Sequence, residues 1–108
     1  MDCSGRCCIF VYKFSSLQTM KFTHFHVHSQ YSILDGAASI PGLIEKAKAD
    51  GQAALALTDH GNMFGIKLFY DTCRKKGIKP ILGVEAYVAR ESLYSKEKPV
   101  DRSGEHLI

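Results

Sequence analysis

The segment KFTHFHVHSQYSILDG, residues 21–36, places His24, His26 and His28 on every second position and follows them with Asp35. The whole chain has five histidines, so this density asks for a chemical reason. Strand residues two apart point to one side and rise about 6.6–6.8 Å. Imidazole nitrogen binds zinc at about 2.0–2.1 Å, so two such rings can converge on one ion lying over the strand. A polar, solvated strand face is the other reading of an H-x-H taken alone.

Further groups favour the ion. Asp59 and His60 end the apolar run AALALTDH, Glu85 lies within KPILGVEAYV, and His106 stands near the last residue. All five histidines fall on or just past strand-like segments. Imidazole and carboxylate donors without thiolate suit zinc, manganese or iron, and this many of them permits more than one ion. A bound metal lowers the pKa of its water toward about 7 and clamps the oxygens of a displacement, which makes phosphate-ester hydrolysis the natural reaction. Each residue also has a plainer reading. Asp35 before Gly36 is an ordinary turn pair. Asp59, the candidate catalytic carboxylate, can satisfy backbone donors at a turn. Glu85 can be a paired structural carboxylate, and His24 reads best as packing against or supporting its neighbours rather than binding metal. The chain has no P-loop, no G-x-S-x-G elbow and no G-x-G-x-x-G, so these motifs give no support to P-loop nucleotide hydrolysis, serine chemistry or dinucleotide binding.

The elements that must position these groups follow from periodicity. Residues 22–28 alternate as a strand. Ser39 can cap a helix that tolerates Pro41 in its first turn. Ile40, Leu43, Ile44 and Ala47 form its apolar stripe, and Gly51 is a stop. Residues 53–59 read as a strand buried on both faces. Ile66, Phe69, Tyr70 and Cys73 mark a second helix, with Arg74, Lys75 and Lys76 favourable against its dipole and Gly77 ending it. Residues 79–88 read as a third strand, and the final HLI begins a fourth. Strand, helix, strand, helix, strand with right-handed crossovers predicts an α/β fold with a parallel sheet. In such folds the strand ends share one rim, where sites form.

Size and composition set the frame. At 108 residues, 45% hydrophobic and 23% charged, the chain is at most one ordinary domain. A net charge of +3 does not by itself call for nucleic acid or a membrane surface. Residues 1–19, with Cys3, Cys7 and Cys8, differ in character from the rest, and Met20 reads as the natural start after an upstream extension. Cys73 reads as a buried free thiol, with no paired cysteine spacing for zinc or a disulfide framework, which fits a reducing cytoplasm. A closed βα barrel needs about 250 residues, so the chain reads as a fragment.

H-x-H, T-D-H and G-x-E in this order resemble the PHP (polymerase and histidinol phosphatase) family of metal-dependent phosphoesterases. HFHVHSQYSILDGAASI, ALALTDHGNMFG and GIKPILGVEAYVA are similar to the domain that opens the alpha subunits of bacterial DNA polymerase III, over about residues 21–108. The resemblance implies the first three to four βα units of a distorted (βα)7 barrel, truncated, over residues 20–108. It implies metal ligands at His26 and His28, then Asp35, His60, Glu85 as a bridging carboxylate, and His106 opening the next motif. The remaining ligands would lie beyond this chain.

The resemblance also implies zinc or manganese in the PHP site, with magnesium for a separate polymerase domain that is not in this chain. It implies a parent that is a DNA-directed DNA polymerase acting in replication, in which the PHP domain is a 3′–5′ exonuclease or a structural platform. The implied partners are DNA, the proofreading subunit and the sliding clamp, in the cytoplasm and without a membrane. A piece of a stand-alone, histidinol-phosphatase-like phosphoesterase and a non-catalytic docking module are the alternatives.

Overall fold

The computed structural model describes residues 22–89, 92, 94 and 105–108. The proposed extension, Met20 and the cysteines near the N-terminus lie outside the described residues. The elements run α1 (Ile40–Ala49), β1 (Ala54–Leu57), α2 (Ile66–Lys76), β2 (Lys79–Leu82), β3 (Ala86–Val88) and β4 (Glu105–Leu107). The chain is therefore mixed α/β, with β1 and β2 parallel in the register Ala54 to Lys79 through Leu57 to Leu82.

The start of α1 and the end of α2 have local reasons. The Ser39 hydroxyl accepts from Gly42 N at the start of α1, and Pro41 sits in the first turn, where a missing N–H costs nothing. Gly77 ends α2 at φ 71°, a left-handed conformation that glycine adopts without penalty. The two helices pack on one face of β1. Ile40, Ile44, Ala47, Leu55, Leu57, Phe69, Cys73 and Ile78 form the core, with Leu43 and Ile66 against it. Phe69 is fully buried, and burying such a side chain is worth about 1.5–3 kcal/mol. Tyr70, expected in the α2 stripe, instead lies at its solvent edge, 43% exposed.

Burial raises the Cys73 thiol to about 11. Cys73 should therefore resist iodoacetamide in the folded protein and react only on unfolding. Peptide mass spectrometry of labelled material checks this, and fast labelling under native conditions would contradict it.

Three strand expectations need correction. Residues 22–28 run beside β1 but do not form a regular ladder. Ala56 N donates to His24 O and Thr58 N to Val27 O, so two steps along β1 match three along this segment. The extra residue is a bulge, and a bulge breaks alternation. Val27 N turns to the Thr58 hydroxyl. The expected third strand, 79–88, divides at Glu85. Up to that point it stays paired with the β1 side through Gly83 N to Leu57 O and Glu85 N to Asp59 O. Beyond it, β3 pairs with β4 instead. That pairing is antiparallel, Ala86 to Leu107 and Val88 to Glu105, so the fourth strand does not extend the parallel sheet.

Candidate metal centre

The parallel pairing brings the C-terminal ends of β1 and β2 together, and a bridge between His60 and Glu85 continues the same register beyond the strands. Glu85, buried at 6% exposure, stands at the centre. Its Oε2 lies 2.6 Å from His28 Nε2 and 3.1 Å from His26 Nε2. Its Oε1 lies 2.8 Å from His106 Nδ1 and 3.8 Å from His60 Nδ1. Asp35 closes a second side, with Oδ1 3.1 Å from His28 Nδ1 and Oδ2 3.2 Å from His60 Nδ1. His26, His28, Asp35, His60, Glu85 and His106 are thus brought together from segments up to 80 residues apart (106 − 26).

The loop that delivers Asp35 is folded tightly on itself. Ser32 N donates to Ser29 O, and Gly36 N donates to Ser32 O at 2.7 Å. A Cβ on Gly36 would lie 2.0 Å from Ser29 O, so only glycine permits this closure. The buried Ser32 hydroxyl joins the loop to the β1 end: it accepts from His60 N and donates to Asp35 Oδ1. That bond, chiefly, holds the Asp35 carboxyl below its usual range against partial desolvation, with His28 and His60 adding to it. At Glu85, burial pushes the carboxyl up, but hydrogen bonds and charge from His26 and His28 more than offset it, and the group is held low. Both carboxylates are therefore ready as anionic donors.

Two expected residues are placed elsewhere. The bulge turns His24 to the helix side, where it lines a groove with Val27, Leu43, Ala47 and Leu55 and meets the Phe22 ring at 4.7 Å. It therefore does not share a face with His26 and His28. Asp59 is buried, and both of its oxygens accept from Ser29, from N at 2.6 Å and from Oγ at 2.9 Å. Its carboxylate anchors the loop rather than opening onto the cluster.

Ser29, Ser32 and Tyr87 were not singled out from the sequence. Serine and tyrosine carry no distinctive spacing, and their partners lie 27 to 30 positions away. The nearest signal was the polar loop itself.

The donor chemistry fits a metal. Two groups, His26–His28–Glu85 and His60–Glu85–His106, each place one ligand atom per residue within 4.8 Å of the others. His26 Nε2 and His28 Nε2 are 3.2 Å apart, close to the about 3.3 Å expected of two tetrahedral ligands at zinc–nitrogen distances. Glu85 belongs to both groups, as a carboxylate with two oxygens can. Among the described residues, no helix is long and apolar enough to cross a membrane.

The family model for the PHP domain matches residues 24–107. Over 90 residues the chain is 54% identical to the DNA polymerase III subunit alpha of Treponema pallidum, covering 82% of this chain and 8% of that protein. It is 51% identical over 89 residues to that of Borreliella burgdorferi, again 82% and 8%. The match to that of Aquifex aeolicus is 43% over 93 residues, 81% and 8%. The chain thus spans about one twelfth of the length of these relatives, the share that 8% represents.

Proposed function

The chain belongs to the PHP domain family, and from that premise we propose that it supplies the first part of a metal-dependent phosphoesterase centre in a bacterial DNA polymerase III alpha subunit. Residues 20–108 are then the opening βα units of a (βα)7 barrel, and residues 1–19 an extension before it. The observation that carries the reading is the single carboxylate, Glu85, facing four imidazoles at the strand ends. The polymerase names of relatives at 43–54% identity favour this parent over a stand-alone phosphatase.

His26, His28, Asp35, His60, Glu85 and His106 would hold the ions, zinc or manganese by donor type. When bound, such ions activate water and neutralise charge on a phosphodiester. The chain's own residues fix the donors. The Ser32 hydroxyl ties Asp35 to the His60 backbone, and Asp59 ties the loop down through Ser29. The substrate proposed is a DNA 3′ end, cleaved in the 3′–5′ direction. DNA and the replicase subunits, the proofreading subunit and sliding clamp among them, are the proposed partners in the cytoplasm. Nucleotide addition, with magnesium, would belong to a polymerase domain elsewhere in the parent.

Metal analysis of the full-length parent tests this. The wild type should retain metal through dialysis, and His26→Ala and His60→Ala should each lose part of it and lower 3′-end cleavage without nucleotides present. A wild type free of metal after loading would refute the metal centre. Metal retained with no cleavage would leave a structural module in its place.

A further inference from the structure

The geometry points to Tyr87 as a positioning residue that fixes the His60 ring with Nδ1 toward the carboxylates, an inference that rests on the metal-centre reading. His60 presents its two nitrogens to different partners. Nδ1 faces Asp35 Oδ2 at 3.2 Å and Glu85 Oε1 at 3.8 Å. Nε2 lies 2.5 Å from Tyr87 Oη. A neutral imidazole carries one proton. If Nδ1 is to offer its lone pair to an ion, the proton sits on Nε2, and there it donates to the tyrosine hydroxyl. Ligating histidines are regularly held through their other nitrogen in this way, and removing the partner costs about 10–100-fold in metal affinity.

Three observations make Tyr87 more than a chance neighbour. Its side chain is on the rim, with the residue 51% exposed, so core packing does not explain it. Its ring meets His60 at 5.0 Å and His106 at 4.9 Å, both edge-on, which are the two imidazoles of the second donor group. Its seat is built into the turn after His60. Gly61 has φ 64°, and a Cβ there would lie 3.0 Å from Tyr87 Cε2. The β3–β4 register then sets Tyr87 directly opposite His106. Tyr87 therefore acts on the His60–Glu85–His106 group and not on His26–His28–Glu85.

Tyr87→Phe in the full-length parent separates these possibilities, because it keeps the ring and removes only the hydroxyl. Cobalt(II) is the probe, titrated against a chelator and followed by its visible absorption. His26→Ala and His60→Ala identify which part of the spectrum belongs to which group. The expected result is about 10–100-fold weaker binding and an altered spectrum for the part lost in His60→Ala, with the part lost in His26→Ala unchanged and the melting curve of the metal-free protein unchanged. Wild-type affinity and spectrum in Tyr87→Phe would overturn the role of Tyr87 while leaving the metal centre standing. Equal weakening of both groups, or a lowered melting temperature of the metal-free protein, would mark the residue as merely structural and also overturn it. A wild type that binds no cobalt would overturn the metal centre and this inference together.

Discussion

Glu85→Ala is expected to empty both donor groups at once, with metal affinity falling at least about 100-fold, beyond what loss of a supporting hydrogen bond produces. The reason is geometric. One carboxylate supplies Oε2 to His26 and His28 and Oε1 to His106 and His60. Removing any one imidazole leaves the other group complete. Removing Glu85 leaves two pairs of imidazoles whose one remaining carboxylate is Asp35, beside His28 and His60 but not His26 or His106. Glu85→Gln should be less severe, because the amide keeps one acceptor and the side-chain shape but loses the charge. Metal content and affinity, measured by chelator competition on the full-length parent, decide the matter. A Glu85→Ala protein that keeps metal in both groups at wild-type affinity would be incompatible with a shared ligand.

The second large effect is on stability. Asp59→Ala should destabilise the domain by about 3 kcal/mol or more, since two buried donors lose their acceptor and each unsatisfied buried group costs about 1–3 kcal/mol. Those donors are the backbone N and hydroxyl of Ser29, itself fully buried. Asp59→Asn retains one acceptor and should cost about 1 kcal/mol. Hydrogen exchange reads this locally: the Ser29 amide should lose protection in Asp59→Ala, and the loop through Gly36 with it. The pair of variants also tests the anchoring role. If Asp59→Asn abolished cleavage with stability and metal content intact, Asp59 would be catalytic and the anchoring account would fall.

Several features of this chain were legible because they are local. The start of α1 and the stop of α2 depend on Ser39, Pro41 and Gly77, each acting within one turn. The apolar stripe Ile40–Ile44–Ala47 and the buried run of β1 follow from periodicities of about 3.6 and from a short apolar stretch between turns. Tyr70 shows the limit of this reasoning. The stripe spacing includes it, but only the curvature of the packed surface decides which edge of a stripe meets solvent.

The strand face of His24 fails for a related reason. Alternation presumes a regular ladder, and a single extra residue between His24 and Val27 reverses parity. Nothing in FTHFHVH marks that residue, since the bulge exists only through pairing with β1, some thirty positions later.

The sequence by itself determined which residues carry metal-binding donors and that His60 and Glu85 follow parallel strands. Residue chemistry is intrinsic, and the βα rhythm sends parallel strand ends to one rim. Only the tertiary structure decided how they meet. It gave Asp59 to Ser29, made Ser32 the link between Asp35 and His60, set Tyr87 against two imidazoles, and switched the chain's partner from β1 to β4 at Glu85. Those choices are made between residues some 20 to 30 or more positions apart. There the deciding energies are buried hydrogen bonds and steric fits, as at Gly36 and Gly61, and no local pattern encodes them.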